Sequence, residues 1–210
     1  MVKRNYDASR RRAAADRTRG RILDAARTLF LRDGYATTTV AAIAADAGVA
    51  PQTVTKAFAN KAGIVKALFD VALVGDDDAV PLEARERIVA MHAEPDPRAK
   101  LTMYAATLTQ MLPRTAPIQL LLRQAGGDPG LAEVWSQIRA GRLAGMSNLA
   151  ANLAAGGHLR DGVSVQQARD VLWAYSSPDL YELLVVERRW SRKRYAAFLA
   201  DAVIAALLPL

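Results

Sequence analysis

The chain has no cysteine and only two histidines, His92 and His158, which lie far apart. Thiolate chemistry and a disulfide framework are therefore excluded, and a histidine-built metal site is not expected. Glu83 and Glu86 stand three residues apart near a helix start, with Arg85 and Arg87 on the same helix. This reads as a surface charge mosaic whose acids favour the helix macrodipole, rather than as a general acid–base pair. His92 has no acid or nucleophile at a meaningful spacing and is expected at the surface or on a pocket rim. No catalytic residue, metal ligand or cofactor is assigned. The basic residues carry more information. From Met1 to Lys66 there are 13 basic and 5 acidic residues, a balance of +8, against 15 and 16 over the remainder, a balance of −1. Such asymmetry points to a polyanion partner for the first third, because each Lys or Arg placed on a phosphate releases condensed counterions. On charge alone, a solubility device remains the alternative.

The elements that would position these charges are helical throughout, so the expected fold class is all-α. With 210 residues, 51% of them hydrophobic, the chain can bury a real core as one large domain or two small ones. It has no run of eighteen apolar residues, and its basic start lacks the apolar stretch of a signal peptide, so a soluble, cytoplasmic protein without a membrane partner is expected. Arginine outnumbers lysine by 22 to 6 beside many alanines, a bias expected of a GC-rich bacterial genome.

Ile22, Ala26, Leu29 and Phe30 form the apolar stripe of a first helix, stopped by Asp33-Gly34. Thr37, Thr38 and Thr39 offer N-cap hydroxyls for a short helix, Val40 to Ala47, which Gly48 ends. A third helix starts near Pro51 and runs to about Ala57, and a fourth spans Lys61 to Val74. Gly75, Asp76-Asp77-Asp78 and Pro81 mark the expected boundary between a domain over residues 1–75 and another over 76–210. Beyond it, Pro81 and Asp96-Pro97 each open a segment, and Pro113 is expected to close the second. Thr115 and Pro117 should start a short helix ending at Gly126-Gly127. Asp128-Pro129 opens a long one ended by Gly156-Gly157. Ser164 and Gln167 have capping-box spacing, Ser177-Pro178 restarts the chain, and Ser191 opens the last helix.

The two short helices joined across Ala47-Gly48-Val49 read as a helix-turn-helix, which lets one helix lie in the major groove while the other crosses the backbone. The joint pattern is more specific than the turn. It comprises Asp33-Gly34-Tyr35, the run from Thr38 to Val49, Pro51-Gln52-Thr53-Val54, Phe58 and Asn60-Lys61-Ala62-Gly63. Over roughly Arg21 to Leu73 the chain resembles the TetR family of bacterial repressors, and Leu172 to Tyr181 with Glu187 to Trp190 looks like one actinobacterial branch of it.

The resemblance implies roles. Gln52 and Thr53 match positions that face bases or phosphates; Gln can pair bidentately with adenine, and Thr can touch a thymine methyl. Lys56, Lys61 and Thr38 match phosphate contacts. Thr55 stands where the family usually has an aromatic residue, so only a hydroxyl contact is left to it, and Ala50 replaces a usual capping serine. Lys3, Arg4, Arg10, Arg11 and Arg12 precede or extend the first helix, and such arms enter minor grooves. Ile43, Val54 and Phe58 are expected in the core.

The resemblance further implies a homodimer on operator double-stranded DNA and an unidentified small apolar or aromatic effector bound by the larger domain. Leu101, Tyr104, Leu108, Met111, Trp135, Ile138 and Trp173 are the candidate pocket residues, although core packing explains them equally well. Tyr195, Phe198, Leu199 and Ala202 form a stripe on the last helix, expected at the dimer interface. The function implied is a ligand-released transcriptional repressor. A non-specific or architectural nucleic-acid-binding protein is the alternative, and a small all-α enzyme a further one.

Overall fold

The computed structural model describes residues 2–76, 80–124 and 127–209; the side chains of residues 2–9, 11 and 124 also lie outside the description. Every regular element among the described residues is helical. By packing, the chain forms two compact units, one of residues up to Asp70 with Leu121–Val134, the other of Val71–Leu120 with residues from Trp135 onward.

The first unit opens with α1 (Val2–Asp33), so the basic N-terminal segment has a helical backbone continuous with the expected first helix. Ile22, Ala26, Leu29 and Phe30 are buried along one face. α2 (Val40–Asp46) packs on α1 and on α3 (Pro51–Phe58). Each supplies two anchors to the interior, Ile43 and Ala44 from α2, Val54 and Phe58 from α3. Full burial of an Ile, Val or Phe contributes about 1.5–3 kcal/mol, which holds two helices too short to persist alone. Gly48, at φ +64°, turns the chain between them. α4 (Lys61–Val74) begins where the Asn60 side chain accepts the Gly63 amide at 2.8 Å. A Cβ at Gly63 would stand 2.1 Å from the Phe58 carbonyl oxygen, so only glycine permits this approach of α3 to α4. Leu131 and Val134, at the start of α7 (Pro129–Ala155), are also buried in this unit.

The second unit holds a 3-10 turn at Leu82–Ala84, α5 (Glu86–Ala93) and the greater part of α6 (Pro97–Gln124) and α7. α8 (Val165–Tyr175), α9 (Pro178–Tyr181), a π-helical segment at Glu182–Glu187 and α10 (Arg192–Leu207) follow. Ser164 and Gln167 cap α8 reciprocally, and Ser177 and Ser191 cap α9 and α10. Leu101, Leu108, Leu149, Leu172, Tyr195 and Leu199 meet in one core. The end of α4 is held by two arginines of this unit. Arg114 Nε donates to the Ala72 carbonyl at 2.8 Å and Arg87 Nη2 to that of Val74 at 3.4 Å, placing cations where the macrodipole favours them.

One expectation fails here. Pro113 does not close a helix and Thr115-Pro117 does not start one; both prolines lie inside the continuous α6. Each proline forfeits one backbone hydrogen bond, at a cost of about 3 kcal/mol. Leu108, Leu112 and Ala116 nevertheless stay in register on one buried face across Pro113, and that burial offsets the loss.

Candidate functional site

The helix-turn-helix presents a polar surface because its apolar residues are fixed from behind. Val54 and Phe58, four apart, point inward, and Gln52, Thr53, Thr55 and Lys56 are consequently exposed together on α3. Thr55 donates its hydroxyl to the Pro51 carbonyl at 3.3 Å, so it has a local partner as well as an exposed position. Ala50 takes the N-cap position of α3 without a side-chain bond, and Pro51 follows with no amide hydrogen to satisfy. Arg10 and Arg12 are exposed on α1, whereas the side chains of Lys3, Arg4 and Arg11 lie outside the described residues.

Two of the candidate residues have hydrogen-bond partners inside the chain. Thr38 is buried, and its hydroxyl donates to the Gly34 carbonyl at 2.8 Å. The cap of α2 is its neighbour Thr39, exposed and accepting the Ala42 amide at 3.1 Å. Lys61 donates its ammonium to the carbonyls of Tyr35 at 2.8 Å and Thr38 at 3.0 Å, with the Tyr35 ring centroid 3.9 Å away. This lysine therefore pins the turn between α1 and α2, whose carbonyls would otherwise lack a donor. Arg21 is exposed on α1 with Nη1 beside Gly48.

Tyr35 and Asp128 form a further contact with no local sequence signal. The Tyr35 phenol is pushed up to about 12 by burial and by the charge of Asp128. Asp128 is held below the usual carboxylate range, first by the Leu131 amide that it caps at 3.1 Å.

Of the candidate pocket residues, Tyr104, Leu108 and Met111 line a cleft of about 90 Å³ in the second unit, together with His92, Met146 and Leu149. His92 thus lies on a pocket wall, and burial, then Lys100, lowers its proton affinity. Leu101 and Ile138 are buried and Trp135 is half-buried, none of them on that cleft. Trp173 is half-buried at the end of α8 between Arg139 and Arg142, whose Cζ atoms lie 5.6 and 4.3 Å from its ring. On α10, Tyr195 and Leu199 are completely buried in this chain's own core and have no surface to offer a second copy. Phe198 and Ala202 retain part of theirs, Phe198 meeting Trp190 at 5.6 Å and Tyr175 at 6.3 Å edge-on.

Residues 22–68, which hold the whole helix-turn-helix, match the family model described as bacterial regulatory proteins, tetR family. Residues 22–68 thus form a DNA-binding domain of the TetR type. Solved structures share its fold along nearly the whole length. NalD, the secondary repressor of the MexAB-OprM multidrug efflux pump in Pseudomonas aeruginosa, is 23% identical with a TM-score of 0.72, over 92% of this chain and 98% of that one. FadR from Bacillus subtilis in complex with stearoyl-CoA is 20% identical with a TM-score of 0.70, over 88% and 96%. SmeT in complex with triclosan is 23% identical with a TM-score of 0.66, over 91% and 92%. No curated protein matches the chain. At these identities the likeness extends the TetR fold beyond the matched domain and says nothing by itself of ligand or target. Among the described residues, no helix is long and apolar enough to cross a membrane, and no three His, Cys, Asp or Glu cluster as metal ligands.

Proposed function

We propose that this chain is a TetR-family regulator, a sequence-specific transcriptional repressor that binds operator DNA as a homodimer and leaves it when a small apolar ligand binds. The observation that carries the reading is the exposed row Gln52, Thr53, Thr55 and Lys56 on a helix whose Val54 and Phe58 are locked into the core. A rigid scaffold with polar, base-reading side chains on its outer face is what major-groove recognition requires. The DNA-reading domain is taken as about residues 1–75 and the regulatory domain as the rest. Two such domains one DNA turn apart, roughly 34 Å, would match a near-palindromic operator. The second copy would cover α8 and α10 through Phe198 and Ala202 with the exposed Leu183 and Val186.

Ligand release is supported by the cleft around Tyr104, Leu108 and Met111 and by the named ligands of the FadR and SmeT structures. At about 90 Å³ the cleft is below the 300–1,000 Å³ typical of drug-sized ligands, so it must widen on binding, which the unbranched Met111 and Met146 permit. Two continuous helices could carry that movement. α4 leads from Lys61 to the arginine-held carbonyls of Ala72 and Val74, and α7 leads from Asp128 to Met146 and Leu149. Ligand and DNA must then weaken one another reciprocally.

A mobility shift on the DNA upstream of the chain's own gene, against unrelated competitor, tests the reading. Selective retention is expected, with release by a ligand of the cleft. Equal binding to any DNA would instead establish the non-specific alternative.

A further inference from the structure

We propose that Arg142 and Trp173 form an anion-binding end to the ligand cleft, so that the effector is an apolar monocarboxylate. This rests on the ligand-released reading above and names the class of ligand. Arg142 precedes Met146 by four residues and Leu149 by seven on α7, and both of those line the cleft. Residues at that spacing share a helix face, so Arg142 stands one turn beyond the lining residues on the same face of α7, outside the cleft as it stands and reached only when the cleft widens. Tyr104, on the opposite wall, bridges the same two places. Its ring lines the cleft, and its hydroxyl donates at 2.7 Å to the carbonyl of Leu172, the residue before Trp173.

The donors at this end exceed the acceptors. Arg142 Nη1 donates to the Trp173 carbonyl at 3.2 Å and to the Ser176 hydroxyl at 3.3 Å, both of them neutral. Its Nε is buried without a hydrogen-bond acceptor, and so is the indole Nε1 of Trp173. A second cation, Arg139, lies on the same indole. Buried donors left without acceptors each cost about 1–3 kcal/mol, more when charged, and a native site seldom leaves two side by side. Capping the end of α8 accounts for Nη1 but leaves Nε and the indole unexplained. A carboxylate accounts for both, because its two oxygens match the side-on fork of a guanidinium and retain lone pairs for a third donor. A carboxamide offers one neutral oxygen and adds nothing to the field of Asp179, which already favours the charged Arg142. The rest of the ligand is mainly apolar, since Ile88, Leu108, Met111 and Leu149 line most of the remainder, beside Glu83 and Asn148.

The test uses the full chain and straight-chain carboxylates from hexanoate to dodecanoate, each paired with its amide, because the members of a pair differ only at the polar end. Calorimetric titration at pH 7.5 should give at least tenfold tighter binding to the best carboxylate than to its amide. Arg142→Gln should abolish that preference and Trp173→Phe should reduce it, with Arg142→Lys between the parent and the Gln variant. Equal binding within every pair, no binding by any carboxylate, or a preference that survives in a folded Arg142→Gln would overturn the proposal, and the first two need no variant. Operator release is read separately. A carboxylate bound through Arg142 that leaves the operator occupied would keep this site and remove the ligand-release reading. Release by neutral ligands alone, unchanged in Arg142→Gln, would keep the release reading and remove this site.

Discussion

The phenol of Tyr35 faces the carboxylate of Asp128, the residue that caps the start of α7, and that charge helps to keep the phenol protonated. Tyr35 sits in the turn before α2, and α7 continues to Met146 and Leu149 on the cleft. One helix therefore joins the cleft to the turn that places the helix-turn-helix. Tyr35→Phe removes the hydroxyl that faces Asp128 and keeps the ring that packs on Phe30 at 5.5 Å. The variant should fold and bind operator within about threefold of the parent, while the ligand-induced loss of DNA affinity shrinks at least tenfold, about 1.4 kcal/mol of coupling. Fluorescence anisotropy of labelled operator with and without a releasing ligand measures both; unchanged coupling would remove α7 from the path.

The exposed face of α3 separates reading from attraction. Gln52→Ala should relax preference at one operator position, at a cost of about 1–3 kcal/mol there, with little effect on unrelated DNA. Lys56→Ala should weaken all sequences alike and lower the salt slope by about one unit, as the loss of one phosphate contact requires. Binding measured from low to moderate salt on operator and competitor distinguishes the two. If both variants match the parent on every DNA, α3 is not the reading helix.

Lys61 should behave differently from Lys56 because its donors are engaged within the chain. Lys61→Met leaves the carbonyls of Tyr35 and Thr38 without their cation, and hydrogen bonds to charged groups contribute about 1.5–3 kcal/mol. Thermal unfolding should show a clear loss of stability that Lys56→Ala does not share. A Lys61 variant with parental stability and a lowered salt slope would return this residue to the phosphate contacts.

The contrast between these lysines shows what the sequence could and could not disclose. Val54 and Phe58 at helical spacing determine which side of α3 faces outward, so Gln52, Thr53, Thr55 and Lys56 were legible from pattern alone. Thr38 and Thr39 are equivalent as N-cap candidates by type, and only the register of the first amides assigns the cap to Thr39. The inward turn of Lys61 depends on carbonyls 23 and 26 residues away, and the Tyr35–Asp128 pairing spans still more chain. Local propensity carries no record of such pairings. Pro113 misled for the same reason, since a helix-breaking residue was outweighed by a buried face that continues on both sides of it.

His92 gives a pH signature for the cleft. Burial first, and the charge of Lys100 second, hold its folded pKa below the unfolded value of about 6.5. The folded state therefore binds fewer protons than the unfolded state as pH falls, so stability is fully present above about 6.5 and drains as pH drops through the folded value. Asp33 and Asp128, whose pKa values are lowered, act only in the more acidic carboxylate range. The unfolding temperature should decline from pH 7 to 5 in the parent, and the decline should flatten in His92→Gln. An identical slope in both proteins would assign the acid sensitivity elsewhere.

A second copy would meet the surface beside the α10 stripe rather than its buried half. Tyr195 and Leu199 have no exposed area, so charged substitutions there would damage the core of one chain before testing any contact between two. Leu183 and Val186, in the π-helical segment Glu182–Glu187, keep 51% and 52% of their surface in water, and the half-buried Phe198 lies on the next helix. Burying such side chains against a second copy would contribute about 1.5–3 kcal/mol each, a large share of a micromolar dimer's binding energy of about 8 kcal/mol. Leu183→Glu with Val186→Glu should therefore leave helicity and unfolding temperature near the parent and raise the dimer dissociation constant at least a hundredfold. Operator affinity should fall with it, because one reading helix cannot hold both half-sites. Sedimentation of both proteins at micromolar concentration decides the matter: a parent that is monomeric, or a variant as dimeric as the parent, would place the contact between copies on another face.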